Sequence, residues 1–362
     1  MIYDVDWTQS MQQSFSFYKV NPNTWRDEER IDTILSAEIV RDSEDETLGY
    51  ATFSADSIEG EFYIRTYMDV TQNGKFYHIP ISTNLTQTSI SGYDGKKNTI
   101  NIDSYTPLIE LKEKTPPVGF FFDKGMNILQ QTRNWVSQLC RAPVLDWKTA
   151  SEGLVVQDEN GFVSENDEDW MSFLSAFLKN AKHVFRLTEM GEIYFDEDNL
   201  SMETQSIFTY SDDGLSILYP EISMTEDLYS IPNVVELVIS KPDMKKGLLI
   251  RAVNDNPNSI ISTVKRGREI ITRINDPDIM GYNDEIQYRQ LAEKTLDDLS
   301  SVEFNIEYKH GFCPVKVGDC VTINYKKANL NNIRAKVIKQ TITCEPGCPV
   351  SETASYTVNL RR

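Results

Sequence analysis

The sequence predicts an α+β protein that is mostly β, with two antiparallel β-barrel or β-sandwich domains and a small α/β domain between them. Three observations lead to this prediction. Apolar and polar side chains alternate with period two through most of residues 10–109, as in half-buried strands. Two stripes with helical spacing follow, and short strands return after residue 215. The predicted domains are residues 1–111, 112–214 and 215–362.

The first β-domain is predicted from short strands separated by turn signals. Asn73-Gly74 is a favoured pair for a type I′ hairpin turn, and Gly92-Tyr93-Asp94-Gly95 predicts the turn of a second hairpin. An acidic loop at residues 41–47 is expected to project, and a solvated loop is its simplest interpretation. The predicted strands are residues 34–40, 48–53, 62–68, 75–79, 83–91 and 99–105.

The central domain is predicted from two apolar helical stripes, at residues 128–139 and 170–181. Both stripes are interpreted as core rather than as cofactor contacts. A β-hairpin that turns at Met190-Gly191 follows the second helix. A linker with two prolines, residues 112–117, separates this domain from the first.

The second β-domain contains the most regular pattern of the chain. A helix is predicted at residues 284–300, where Asp284 and Gln287 have capping-box spacing. A turn at residues 314–319 then leads into another strand. The predicted strands of this domain are residues 234–240, 248–253, 259–264, 269–274, 302–309, 320–325, 334–344 and 355–360. Helix and strands together predict a barrel or sandwich with one packed helix.

Composition excludes several function classes. The 362 residues carry a net charge of −19, nearly all of it before Gly214. A protein that grips nucleic acid needs a basic surface, and this chain lacks one. The charge indicates either simple solubility or an acidic wall that polyanions pass without sticking. The sequence has no apolar run of membrane-spanning length and begins without a signal peptide, so we expect synthesis in a cytosol.

The sequence contains no motif that indicates catalysis. Phosphate-binding loops, dinucleotide-binding glycines, nucleophile elbows and the zinc-protease helix motif are all absent. The three histidines, His78, His183 and His310, have no local catalytic partner, so we interpret them as surface or structural residues. Carboxylates are so numerous that chance pairs carry no information. We therefore predict no enzyme activity and no catalytic residues.

No metal or other cofactor is predicted either. Five cysteines without an export signal indicate free thiols. Cys344 and Cys348 flank Pro346-Gly347, which makes a disulfide conceivable, whereas the cysteine spacing fits no standard zinc pattern. Acidic residues 276–278 do not match a calcium-binding loop.

Four segments carry a resemblance to a known family. They occur in order along nearly the whole chain, and each is weakly specific by itself. They are Tyr105-Thr106-Pro107-Leu108-Ile109-Glu110, residues 170–181 with Gly191-Glu192-Ile193-Tyr194-Phe195, Ile231-Pro232-Asn233-Val234-Val235, and Pro314-Val315-Lys316-Val317-Gly318-Asp319-Cys320-Val321. In these segments the chain resembles the tail-hub or baseplate-hub proteins of tailed bacteriophages and related injection machines.

The resemblance implies a structural virion protein made in the bacterial host cytoplasm. It implies a homotrimer whose tube-like β-domains form a ring that adapts the sixfold tail tube to a threefold tip. Its implied partners are the tail tube or distal tail protein, a tip or fibre protein, the tape-measure protein and passing DNA. In such a ring the acidic loop is a candidate lumen or inter-subunit element, with Asp42, Glu44, Asp45 and Glu46 as its residues.

Two alternatives come from other function classes. A carbohydrate-binding or adhesin-like β-protein requires an exposed aromatic platform. A carbohydrate-active hydrolase requires a deep cleft lined by two acids and aromatic walls. Tyrosines in the predicted strands, such as Tyr63 and Tyr67, are equally explained by β-propensity, so they do not favour either alternative.

Overall fold

The computed structural model describes residues 4–93, 98–145, 154–165, 167–197, 205–213, 216–225, 228–239, 247–275 and 285–361. The prediction of a mostly β chain is confirmed. The chain forms two compact units, each assembled from separate stretches of sequence. Unit 1 comprises Met1–Ile222 and Tyr308–Ala354, and unit 2 comprises Ser223–Glu307 and Ser355–Arg362. The division into three domains at residues 111 and 214 stays a prediction.

The elements up to residue 211 all belong to unit 1. They are β1 (Gln12–Val20), β2 (Asp27–Arg30), β3 (Ile34–Asp42), β4 (Gly49–Ala55), β5 (Tyr63–Gln72), β6 (Lys75–Tyr93), β7 (Asn98–Tyr105), α1 (Ile109–Lys112), β8 (Phe121–Phe122), α2 (Ile128–Leu139), β9 (Phe162–Val163), α3 (Trp170–Lys179), β10 (His183–Leu187), β11 (Ile193–Glu197) and β12 (Phe208–Ser211).

The remaining elements follow in chain order, and some of them begin in one unit and end in the other. They are β13 (Leu218–Thr225), β14 (Val234–Ile239), β15 (Leu248–Val253), α4 (Thr263–Arg266), β16 (Ile271–Asn275), α5 (Glu285–Leu299), β17 (Ser301–Gly311), β18 (Cys320–Tyr325), a 3-10 turn (Lys326–Ala328), β19 (Leu330–Thr343) and β20 (Pro349–Asn359).

One large sheet organises unit 1. Its strand order is β13-β17-β20-β19-β3-β4-β7-β6-β5-β1-β2, in which β13, β17 and β20 contribute their unit 1 residues, and β18 joins β19 to β12. β19 pairs antiparallel with β3, and Thr341 lies opposite Val40. Strands from both ends of the sequence therefore share one sheet. The pairing of the described strands does not close into a ring.

The strand β6 differs from the prediction of two separate strands at residues 75–79 and 83–91. It runs for 19 residues without a break. The register against β5 shifts beside Thr66, so a bulge absorbs the irregularity near Pro80 and the strand continues. The hairpin turn at Asn73-Gly74 is confirmed, since both residues have positive φ and Gln72 pairs with Lys75. Asp94 and Gly95 of the second predicted turn lie outside the described residues.

The helices of unit 1 pack around an aromatic cluster. The two predicted stripes form α2 and α3, and Asn127 and Asp169 cap them by accepting hydrogen bonds from the main-chain N–H of Gln130 and Ser172. Rings from both helices stack or meet edge to face at centroid distances of 4.4–6.5 Å. The cluster includes Phe120, Phe122, Trp135, Trp170, Phe173 and Phe177. These helices are therefore core elements, as predicted.

Unit 2 contains a three-stranded sheet with the order β15-β14-β16. Val235, Leu237 and Ile239 of β14 pack against α5, the helix predicted at residues 284–300. Asp284 of the predicted capping box lies outside the described residues. The helix thus covers a small mixed sheet, in which β14 pairs antiparallel with β15 and parallel with β16.

The predicted strand at residues 259–264 is wrong. The chain forms a turn there and then the short helix α4. Ser262 caps this helix through its side chain, and Gly267 ends it in the left-handed conformation. Side-chain hydrogen bonds from Asn254 to Ser259 and from Ser259 to Leu360 hold the turn. Serine and asparagine side chains compete with strand pairing in this way, and the apolar pattern does not reveal it.

Candidate functional site

The acidic loop predicted as a site connects β3 to β4 in unit 1. Two of its four carboxylates form ion pairs with lysines distant in sequence. Asp42 lies 2.9 Å from the Nζ of Lys339, and Glu46 pairs with Lys112. Both lysines are about half exposed, so each pair contributes at most about 1 kcal/mol.

A third carboxylate of the loop builds its turn. Asp45 Oδ1 accepts hydrogen bonds from the main-chain N–H of Thr47 at 2.8 Å and from its hydroxyl at 2.7 Å. Gly49 closes the turn with φ of +125°, where an added Cβ would lie 2.1 Å from the carbonyl oxygen of Val40. Within the described part of the chain, exposed Glu44 makes no ion pair. The role of the four residues at a lumen or interface stays a prediction.

A small cavity of about 100 Å³ lies next to the loop and is lined by β3, β6 and the β10–β11 hairpin. Its charged groups are mostly paired. Lys316 Nζ lies 2.6 Å from Glu189, and Arg41 donates to the carbonyl oxygen of Ile81 at 2.6 Å. Burial lowers the pKa of Arg41, whereas the charge of Glu189 opposes that shift. Asn84 Oδ1 is buried without a protein partner at this wall. The cavity suits ordered water.

The turn of the β10–β11 hairpin is fixed to the large sheet. The carbonyl oxygen of Met190 accepts hydrogen bonds from Trp25 Nε1 at 2.7 Å and from Arg65 at 3.0 Å. Gly191 follows with φ of +75°, and an added Cβ there would lie 2.7 Å from the side chain of Thr83. The sequence predicted the turn, but it gave no signal for the surface that receives it.

A buried polar cluster is the second arrangement that sequence reasoning missed. His310 and Glu352 are both buried, and His310 Nε2 lies 3.4 Å from the Glu352 carboxylate. Gln340 donates to the same carboxylate at 2.6 Å, and Tyr308 donates to its other oxygen. Tyr210 is within hydrogen-bond distance of both the imidazole and the thiol of Cys313, at 3.3 and 3.2 Å.

The protonation of His310 is set by the other groups of this cluster. Burial by itself would lower the pKa of His310, but hydrogen bonds and attraction from Cys313 and Glu352 raise it to about 10. A thiol, an imidazole and a carboxylate do stand together here. All three are shielded from solvent, so the arrangement bonds the core together rather than presenting a nucleophile.

The other candidate groups are also structural. His78 pairs with Asp69 and stacks on Tyr67 at 3.8 Å, while buried His183 contacts the carbonyl oxygen of Ala181. All five cysteines are buried free thiols, so no disulfide joins Cys344 and Cys348. Among the described residues, no group of three or more potential ligands is placed to hold a metal ion. Residues 276–278 lie outside that range.

Comparison with known proteins identifies the fold. A tail protein from Neisseria meningitidis MC58 superposes with a TM-score of 0.60 at 11% identity, over 96% of this chain and 98% of that chain. The 43 kDa tail protein of prophage MuSo2 from Shewanella oneidensis gives 0.59 at 11% identity, over 96% and 99%. The chain has the tail-protein fold. No protein-family model and no curated protein sequence matches it.

A similar fold also occurs in a protein complex from Francisella. A chain of the half-lidded Francisella PdpA–VgrG complex superposes with a TM-score of 0.57 at 9% identity. The match covers 96% of this chain and 58% of that longer one.

No helix among the described residues is long and apolar enough to cross a membrane.

The segments that carried the family resemblance build turns and helix starts within this fold. Asn233 is buried, donates to the carbonyl oxygens of Ile261 and Arg268 at 3.0 Å and accepts from the N–H of Ile270 at 2.7 Å. Asp319 accepts from the N–H of Lys316 at 2.8 Å in the turn before β18. Asn233 and Asp319 therefore hold the backbone in place through their side chains.

Proposed function

We propose that this chain is a structural component of a bacteriophage tail, and that three copies form the hub at its distal end. The observation that carries the proposal is the full-length match to two tail proteins, over 98% and 99% of their chains. Each of the two matches also covers 96% of this chain. The buried or paired state of the candidate chemical groups supports a non-enzymatic role.

In the proposed hub, the trimer adapts a sixfold tail tube to a threefold tip and lines the path of the DNA. The net charge of −19 supports such a lining. Like charges repel within a Debye length of roughly 8–10 Å, so an acidic wall lets DNA slide without binding. Of the predicted loop residues, Glu44 suits this wall best, because Asp42 and Glu46 are paired with lysines.

The proposed partners follow from the position in the tail. The hub joins a tail tube or distal tail protein on one side and a tip or fibre protein on the other, and it meets the tape-measure protein and DNA in its channel. Its proposed location is the virion, after synthesis in the host cytoplasm.

Light scattering over a concentration series tests the proposed hub. We expect a stable mass near three times 41.5 kDa and ring-shaped particles with a central channel in electron micrographs. We also expect no retardation of DNA in a gel at low salt. A chain that stays monomeric at all concentrations, or that binds DNA tightly, would contradict the proposal.

A further inference from the structure

The far half of β6 is an unpaired sheet edge. Along its first half β6 is bonded to β5, but that pairing ends where Tyr63 meets Leu85 and Phe62 meets Thr86. From Gln87 to Tyr93 the strand is bonded to β7 on one side only. No described residue makes a backbone hydrogen bond to the other side of this stretch. We call residues 87–93 the open edge.

The open edge is exposed on both faces. Every residue from 87 to 93 is exposed, and the two large apolar side chains, Ile90 and Tyr93, are 62% and 69% exposed. The segment thus has the unmet backbone groups and apolar surface that a partner strand satisfies.

The charge pattern distinguishes this edge from two other ends of the large sheet. β2 is a short edge that carries Asp27, Glu28, Glu29 and Arg30, and β13 carries Pro220 and Glu221. Charges and proline are the usual means by which proteins block edge-to-edge pairing. By contrast, residues 79–93 contain no charged side chain, in a chain where 25% of residues are charged.

The same pattern indicates the kind of partner. If the partner were basic, acidic side chains on the open edge would attract it and strengthen binding. A partner that is itself strongly acidic is repelled by them, since like charges placed opposite each other cost several kcal/mol. With a net charge of −19, a second copy of this chain is such a partner, and an uncharged edge lets two copies approach.

A second uncharged edge is available in unit 1. Among the described strands, β12 is bonded only to β18 and ends a branch of the sheet. Residues 206–211 contain no charged side chain, and Ile207 is 55% exposed. Two different edges that pair between copies give a head-to-tail contact, and such a contact builds a ring when the rotation from copy to copy closes after a full turn.

We propose that the open edge of β6 pairs with β12 of a neighbouring copy and forms the contact that builds the oligomer. This inference rests on the proposed hub and names its interface. It predicts that charge on the open edge separates the copies without unfolding them.

The test is light scattering of the full chain carrying Ser89→Lys with Ser91→Lys, two exposed positions of the open edge. We expect the dissociation constant of the trimer to rise at least tenfold while circular dichroism stays unchanged. Asn101→Lys is the matched control. It adds an exposed lysine to the same hairpin. Asn101, however, lies on β7 opposite both Ile90 of β6 and Ser54 of β4, so its strand has no open edge.

The outcomes separate the two proposals. A trimer that is unaffected by the edge lysines overturns the edge and leaves the hub standing. A stable dimer that the edge lysines dissociate supports the edge and overturns the threefold hub. A wild-type monomer at all concentrations overturns both.

Engineered cysteines test the choice of β12. Because the native cysteines are buried, background cross-linking is expected to be low. Ser89→Cys combined with Thr209→Cys should give covalent dimers and trimers with diamide, whereas each single variant should not. Cross-linking of the Ser89→Cys variant alone would mean that β6 pairs with itself, which would overturn β12 as the partner.

Discussion

Arg65 on β5 donates a hydrogen bond to the carbonyl oxygen of Met190, 125 positions away in sequence, at 3.0 Å. The same guanidinium forms an ion pair with Asp27 at 2.7 Å, and its side chain is only 1% exposed. One buried cation on β5 therefore binds both the end strand β2 and the β10–β11 hairpin.

Arg65→Met should lower the free energy of unfolding by about 3 kcal/mol, because it leaves Asp27 and Met190 without their partner. Denaturant titration measures the change. Arg30→Met is the matched control, since Arg30 also pairs with an aspartate, Asp32 at 2.9 Å, but both side chains are exposed. It should cost less than about 1 kcal/mol. Equal losses of free energy of unfolding in the two variants would show that the buried contacts of Arg65 contribute no more than an exposed ion pair.

The buried cluster around His310 should make stability depend on pH. The pKa of His310 is raised from 6.5 to about 10 in the folded chain. The folded protein therefore holds the proton more tightly than the unfolded one, and this stabilisation is complete below pH 6.5 and lost as the pH rises through 10. From below pH 6.5 to above pH 10 the wild type should lose about 5 kcal/mol more than His310→Gln does. His78→Gln serves as a control for histidine replacement. Parallel pH profiles for wild type and His310→Gln would contradict this assignment.

The five cysteines should be unreactive in the folded protein. Burial raises the pKa of Cys140, Cys344 and Cys348, and the thiolate is the reactive form. Titration with a thiol reagent should therefore show slow reaction in buffer and five reactive groups in denaturant. Only three groups in denaturant would reveal a disulfide.

Gly191→Ala should weaken the docking of the β10–β11 hairpin. The added methyl meets Thr83 at 2.7 Å and Trp25 at 3.2 Å. Gly119→Ala is a closely matched control, because Gly119 has the same φ of +75° and nothing within 4 Å. Both variants carry a backbone strain of about 1 kcal/mol. Crowding should lower the free energy of unfolding of Gly191→Ala by roughly 1–3 kcal/mol more. Thermal melts of the two variants give the difference, and matching melting temperatures would argue against a docked turn.

Local features of the fold were predictable from the sequence. Periodicity located the end of α5 to within a residue and β18 at Cys320–Tyr325, because both elements present one regular apolar face. The turn at Asn73-Gly74 was predictable because few other residues tolerate its dihedral angles. Where serine and asparagine side chains bond to the backbone, as at residues 259–262, the pattern failed.

Contacts between distant residues were not predictable. The acidic loop was visible in the sequence, but its pairing with Lys112 and Lys339 depends on which strands become neighbours. The same holds for the cluster of His310, Tyr210 and Glu352, which three separate strands bring together. Strand order is set by packing of the whole sheet, and a single sequence carries little of that information.

The pairing of β3 with β19 also constrains how the protein is made. A ribosome adding about 5–20 residues per second completes β19 roughly 15–60 s after β3, since roughly 300 residues separate the two strands. Both units also include residues of β20, which follows β19 in the chain. Nascent chains therefore carry unmatched strands until β19 and β20 have been synthesised, and a premature stop codon anywhere before β19 leaves a product that cannot complete the large sheet.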